Sequence, residues 1–300
     1  MRRACVIFCP AAGKAMSVDT LREHLRPLVE AHWEVRVDVS SVPGGATTLA
    51  DRAVRDGYDL VVAAGGDGTL SEALQPLVGT EVTLGVLPLG TGNVWAREVG
   101  IPLDLSGAVR VLLEGRVRRV DVGRAGQRYF LLMAGIGFDA AVISQLDARS
   151  KRRLGRVAYV VAGVAVAFSS LGHRVHLNVD GVRRTYRALL IVIGNSRRYG
   201  GDVNVTAEAR IDDGLLDVCV FKGTGLPAVA WHIVSVLLGR HVHDPAVDYF
   251  RARRLTVIGD SPLPVQVDGD TIGETPMAFT VRTRSLNVLV PAGMRPDLFA

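Results

Sequence analysis

Lysine is nearly absent from this 300-residue sequence: Lys14, Lys151 and Lys222 are the only three, so arginine supplies almost all of the positive charge behind a net +5. Cysteine is scarce too. Cys5, Cys9 and Cys219 are odd in number and scattered, which argues against a disulfide framework or a zinc cluster and points to a reducing, cytosolic setting. The arginines cluster at 149–156, 183–187, 197–198 and 251–254. Aromatic residues do not interleave with them in a nucleic-acid-binding pattern, so no nucleic-acid partner is expected. Such clusters suit either an anionic membrane face or ordinary solvated surfaces. The longest apolar run, Val157–Leu171, falls short of the ~20 residues that span a bilayer and reads as a buried or interfacial helix. The start, Met1-Arg2-Arg3, lacks the pattern of a signal peptide. Any membrane contact is therefore expected to be peripheral. The Walker form GxxxxGK[ST] is also missing.

What is present is a globular composition, 48% hydrophobic and 22% charged, long enough for about two domains and a sizeable core. Up to about residue 120, buried apolar runs alternate with amphipathic ones. Strands are expected at 4–8, 35–39, 60–64 and 82–87, with helices at 18–31, 47–56 and 70–78. This alternation predicts a Rossmann-like α/β domain with a mainly parallel sheet. After Gln127 the strand-like runs lie closer together: around 175–179, 185–193, 215–221, 255–258, 263–267, 278–281 and 286–290, with one helix at 226–238. They predict a β-rich C-terminal domain, an antiparallel sandwich. The boundary falls near 122–127, giving domains of 1–123 and 124–300, with a return of the extreme C-terminus to the first domain left open.

Two glycine loops carry the chemistry. The apolar run ending at Ala64 leads into Gly65-Gly66-Asp67-Gly68-Thr69 and then a helix. Glycines there let backbone N–H groups approach phosphate without a Cβ in the way, and a helix N-terminus adds positive potential. Asp67 suits magnesium, and the Thr69 hydroxyl suits a phosphate oxygen. The device recurs at Gly90-Thr91-Gly92-Asn93 after the next strand. Loops after neighbouring parallel strands share the crevice where open α/β sheets bind ligands. A third candidate wall is Pro10-Ala11-Ala12-Gly13-Lys14. Asp268-Gly269-Asp270 reads as a hairpin turn or as a source of a catalytic acid. Asp212-Asp213-Gly214 reads as a loop or a hard-cation site. His241-Val242-His243 has metal-like spacing but is expected in an exposed loop.

GGDGTL at 65–70 and PLGTGN at 88–93, with GIGFDA at 135–140, DDGLLDV at 212–218 and DGD at 268–270, resemble the catalytic region of the diacylglycerol and sphingosine kinases and related bacterial lipid kinases. The resemblance runs from the first strand to the last. It implies an ATP- and Mg²⁺-dependent lipid kinase whose default acceptor is diacylglycerol. Nucleotide contacts would come from Pro10, Gly13, Lys14, Ser40, Gly65, Gly66, Asp67, Gly68, Thr69, Leu70, Ser71, Thr91, Gly92 and Asn93. Asp270, with Asp67, would be catalytic, and Asp213 with the carbonyls of Arg210 and Leu215 would hold a structural magnesium. The apolar 157–171 stretch is a candidate for lipid capture. The resemblance further implies a cytoplasmic protein peripherally associated with membrane, with a homodimer left open. Departures are Cys9 for a common asparagine, Ser71 for another, Val94-Trp95 where Asp and Phe are common, and Asp270 for a frequent glutamate. Other acceptors (a sphingoid base, another glycerolipid, NAD or a sugar) and a non-catalytic nucleotide-binding regulator are the alternatives.

Overall fold

The structure is a computed structural model, and it describes residues 1–13, 16–137, 172–200, 203–294 and 296–300. The chain divides into two compact units: Met1–Val122, Ile211–Asp213 and Thr283–Ala300 form the first, Gly123–Arg210 and Gly214–Arg282 the second.

The first unit alternates strand and helix: β1 (Arg3–Phe8), α1 (Val18–Glu30), β2 (Glu34–Val39), α2 (Gly45–Arg55), β3 (Leu60–Gly65), α3 (Asp67–Ala73), β4 (Thr83–Pro88), α4 (Val94–Val99) and α5 (Leu105–Glu114). β1 pairs in parallel with β2 and β3, and β3 with β4. Every residue of β3 is buried, as expected for a parallel strand covered on both faces. α1 begins where Ser17 accepts the Thr20 N–H at 3.0 Å, a side-chain N-cap. It presents Leu21, Leu25 and Leu28 inward at helical spacing. α3 starts three residues earlier than the apolar pattern indicates, inside the glycine motif itself.

β5 (Arg116–Ala125) leads into the second unit, which holds β6 (Arg128–Phe130), β7 (Met133–Ile136), β8 (His173–Val179), β9 (Val182–Gly194), β10 (Arg198–Gly200), β11 (Val203–Asn204), β12 (Leu216–Lys222), α6 (Gly225–Leu237), β13 (Val247–Ala252), β14 (Arg254–Gly259), β15 (Pro264–Val267) and β16 (Asp270–Glu274). Pairing here is antiparallel throughout the recorded ladders. Long β9 pairs with β8 through its first half and with β7 and β12 through its second. The inward faces meet in a core that includes Phe130, Ile191, Val218, Leu255, Val265 and Phe279. The expected α/β domain and β-rich, sandwich-like domain are both present.

Two sequence expectations are corrected. The runs at 278–281 and 286–290 are one strand, β17 (Met277–Val290), because the polar Arg282–Ser285 stretch continues the ladder rather than turning. Arg284 sits at φ 43° with its N–H held by the Asp121 carboxylate at 2.6 Å. The first part of β17 pairs antiparallel with β14; its last part pairs in parallel with β4 in the first unit, where Gly79 N–H also reaches the Ser285 carbonyl at 2.7 Å. His241–His243 is a short 3₁₀ turn in which His243 is exposed but His241 is fully buried, stacked on Phe221, with Nε2 2.7 Å from the Val205 carbonyl.

Candidate functional site

Four loops of the first unit line a cavity of about 620 Å³ at the carboxyl ends of its parallel strands, and those after β1, β3 and β4 meet one another. The loop after β1 contributes Cys9 to Gly13, the loop after β3 contributes Gly66, Gly68 and Thr69, and the loop after β4 contributes Gly90 and Thr91. They are in contact through glycine. A Cβ on Gly90 would lie 2.4 Å from the Gly66 Cα, and one on Gly13 would lie 3.1 Å from the Gly90 carbonyl carbon. Backbone thus packs on backbone, which only residues without a side chain permit. Gly68 is different: a Cβ there meets nothing within 4 Å, so its lack of a side chain leaves the cavity open rather than relieving a clash.

Asp67 ties two of the loops together. Its Oδ1 accepts the Val94 N–H at 2.7 Å and the Trp95 N–H at 3.4 Å, at the start of α4. Burial pushes its carboxyl above the usual aspartate range, and these N–H groups pull the other way. Its Oδ2 faces Gly92, where a Cβ would lie 2.8 Å away. Asn93 braces the same turn from φ 48°, its side-chain amide donating to the Gly90 carbonyl at 2.8 Å. The first N–H groups of α3 have no acceptor within the helix. With the hydroxyls of Ser40 and Thr69, they supply donors of the kind a polyphosphate accepts from to a wall that is otherwise largely apolar.

The sequence-derived residues separate into groups. Pro10, Gly13, Ser40, Gly66, Gly68, Thr69 and Thr91 line the cavity. Gly65 lies beneath it, where a Cβ would collide with the Thr69 side chain. Leu70 and Ser71 are buried and do not line it; Asp67, Gly92 and Asn93 hold its loops. Lys14 lies outside the described residues, as do Phe138–Ala140 of GIGFDA and the apolar 157–171 stretch. Of the wall after β2, sequence reasoning named only Ser40. Ser41, Val42 and Pro43 line the cavity, and Glu72 joins them, accepting the Gly44 and Ala46 N–H groups at 2.9 and 3.1 Å. The signal was available: Ser-Ser-Val-Pro-Gly-Gly is another turn-rich loop after a parallel strand.

In the second unit, Asp268 and Asp270 part company. Asp268 accepts the N–H groups of Leu131, Leu132 and Met133 at 2.9, 3.1 and 2.9 Å. It sits with Gly269 in the left-handed conformation that turns β15 into β16. Asp270 follows the turn with its side chain 52% exposed, 3.5 Å from an Arg128 guanidinium nitrogen. The hairpin is real, and it leaves the Asp270 side chain about half exposed beside Arg128. Arg210 and Leu215 lie in the second unit and Asp213 in the first; the adjacent Asp212 accepts the Ala300 N–H at 2.6 Å. Among the described residues no cluster of three or more His, Cys, Asp or Glu could form a metal site by itself.

Residues 3–125 match the diacylglycerol kinase catalytic domain, and residues 133–290 match the YegS C-terminal NAD kinase beta sandwich-like domain. A diacylglycerol kinase of Staphylococcus aureus (strain JH9) is 30% identical over 292 residues, covering 97% of this chain and 93% of that one. A crystal structure of a diacylglycerol kinase from Bacillus anthracis str. Sterne superposes with a TM-score of 0.80 at 24% identity, covering 97% of both chains. Another structure from that organism superposes at 0.84 with 23% identity, over 98% of this chain and 96% of that one. These two establish the likeness of fold.

Proposed function

Because the chain belongs to the diacylglycerol kinase-like family of lipid kinases, we propose that it transfers the γ-phosphate of ATP to a lipid hydroxyl, with diacylglycerol as acceptor and phosphatidic acid as product. The observation that carries this reading is the glycine-on-glycine packing of loops around a cavity in the first unit that Ser40, Thr69 and Thr91 line. Phosphoryl transfer asks for positioning and charge neutralisation more than for covalent chemistry, and main-chain N–H groups held by a rigid sheet supply the positioning.

Magnesium fits the residues present. Mg²⁺ is usually held by one or two carboxylates together with substrate phosphates rather than by a full protein cage. Asp67 offers Oδ2 while Oδ1 keeps the loop in place. Bound there, the ion neutralises phosphate charge. Asp213 with the Arg210 and Leu215 carbonyls is the proposed structural magnesium site. Asp270 is the proposed general base, taking the proton of the attacking hydroxyl; Arg128 beside it restrains the carboxylate. The nucleotide's phosphates would be bound by the N–H groups around Gly66, Gly68 and Thr69, with Ser40 and Thr91 as further contacts.

The second domain's likeness to an NAD kinase sandwich leaves a soluble acceptor as the second reading. Radiolabelled ATP offered with mixed micelles of diacylglycerol, sphingoid base, ceramide or glycerophospholipid, and separately with NAD and sugars, decides between them. Label in the diacylglycerol fraction is expected. Label confined to a soluble acceptor rejects the lipid reading, and no label with ATP still bound favours a regulatory nucleotide-binding role.

A further inference from the structure

One helix of the second unit is apolar on the side that its own sheet does not use. The segment from Gly223 to His243, which contains α6, has no acidic residue, and α6 itself carries no charged residue of either sign. Its inward face is well occupied: Val229, His232 and Ser235 are buried, and His232 Nε2 lies 2.7 Å from the Lys222 carbonyl. Its outward face shows Trp231 at 58%, Val234 at 48%, Leu237 at 48% and Leu238 at 61% exposure, beside exposed Pro227 and Ala230. At 3.6 residues per turn these positions fall within about a third of the helix circumference, so they form one stripe.

Scattered apolar surface residues are ordinary, but a stripe containing tryptophan on an uncharged helix is not. Trp231 is also held in place. Its indole N–H donates to Asp244 Oδ2 at 2.6 Å, and Ser235 Oγ donates to the same oxygen at 3.0 Å. The ring therefore presents its apolar body outward while its polar edge is satisfied, the amphipathic arrangement suited to a membrane–water interface.

Charge names the occupant. At the N-terminal end of α6, Gly223 N–H binds the carbonyl of exposed Arg187 at 3.2 Å; at the C-terminal end stands exposed Arg240. The nearby acids are engaged: Asp244 accepts from Trp231, Ser235 and the Ala246 N–H, and Asp248 pairs with Lys222 at 2.5 Å. A cation thus flanks each end of an uncharged apolar stripe, complementary to anionic headgroups over acyl chains. No helix among the described residues is long and apolar enough to cross a membrane, so contact along the helix side is the geometry available to α6. We propose that the Trp231–Val234–Leu237–Leu238 face of α6 lies in the interface of an anionic bilayer and docks the protein there. The proposal deepens the lipid-kinase reading, since a bilayer is where that reading's acceptor resides.

The test measures docking apart from catalysis. Full-length protein without ATP is sedimented with phosphatidylglycerol–phosphatidylcholine vesicles that contain no diacylglycerol, and emission is read with brominated acyl chains as quenchers. Wild type is expected to bind, with a quenched component that disappears in Trp231→Phe. Val234→Gln with Leu238→Gln should weaken vesicle binding at least tenfold while leaving phosphorylation of a monomeric short-chain diacylglycerol within twofold. Arg187→Gln with Arg240→Gln should reduce the preference for anionic over zwitterionic vesicles several-fold, a readout that does not depend on the apolar variant folding. Undiminished binding by a folded Val234→Gln/Leu238→Gln protein overturns the proposal. So does a change in that protein's mass by light scattering from dimer to monomer with vesicle binding intact, because a second copy would then cover the stripe. Docking without lipid phosphorylation sinks the kinase reading alone; phosphorylation of the short-chain lipid without docking sinks this one alone.

Discussion

The cavity of the first unit and the β15–β16 turn of the second both depend on glycine beside aspartate, yet they use the pair in opposite ways. In the cavity, Asp67 is turned inward to hold a loop and glycines make the working surface. In the turn, Asp268 and Gly269 make the support, and the next aspartate, Asp270, is left half exposed. On the proposed function, main chain does most of the binding in the first region, with Asp67 as its one carboxylate, and a side chain supplies the chemistry in the second. The first would then tolerate little change in backbone packing, and the second would depend on the Asp270 carboxylate.

The largest expected effect tests that division. Asp270→Asn should lower kcat by about 10²–10⁴, the span typical of losing a general base, with ATP affinity unchanged by calorimetry. An unaffected kcat would mean that the second unit contributes no chemistry and that the contrast is empty. Next come two alanines that should behave as opposites. Gly90→Ala places a Cβ against the Gly66 backbone and should cost about 1–3 kcal/mol of stability by denaturant unfolding, because backbone cannot yield as a flexible side chain would. Gly68→Ala meets no clash and should leave stability equal or raised by up to about 1 kcal/mol, helix propensity favouring alanine, yet weaken ATP binding at least tenfold by crowding the phosphates. If Gly68→Ala binds ATP normally, main chain at that position is not the recognition surface.

Smaller effects concern the two units' buried groups. Burial holds the His241 imidazole below its ordinary range, against opposing help from the Val205 and Ser235 backbone and Asp244. A lowered folded-state value means stability present above about pH 6.5 and lost as pH falls through the lowered value, with a slope of at most about 1.4 kcal/mol per pH unit. His241→Gln should flatten that acid limb of the melting-temperature profile; an unchanged limb assigns it elsewhere. Cys9 of the first unit lines the cavity, while Cys5 of the same unit and Cys219 of the second are buried, burial pushing Cys5 up to about 11 and Cys219 higher still. Alkylation should therefore modify Cys9 first, and Mg-ATP should slow it about tenfold if the nucleotide covers that wall. Equal labelling with and without Mg-ATP would place the nucleotide away from the loop after β1.

The contrast also explains what could be read in advance. Main-chain recognition leaves a mark in sequence because it requires glycine at fixed places, so the loops after β3 and β4 were legible as a pair. The roles within them were less so: nothing in GGDGT or GTGN distinguishes Gly66 and Gly90, which touch, from Gly68, which does not. Glu72 escaped because its work, holding the Gly44 and Ala46 N–H groups, depends on α2 and α3 meeting in space. The parallel strands were plain from their buried runs. β17 read as two because Arg282–Ser285 interrupts the apolar pattern without interrupting the ladder, and buried His241 read as exposed because polarity alone suggested a loop. The α6 helix was legible as a helix, but the exposure of one side of it is a property of what the rest of the fold covers.

The course of β17 has a consequence for biosynthesis. The first unit takes its strand beside β4, the partner of Gly79 and the Leu298 carbonyl that receives the Ile211 N–H from the last eighteen residues, Thr283–Ala300. Those residues are translated after the whole of the second unit. The part of the protein that is made first is thus finished only once the second unit has been synthesised, and a ribosome stalled before residue 283 would hold a parallel sheet with the edge of β4 open to other nascent chains.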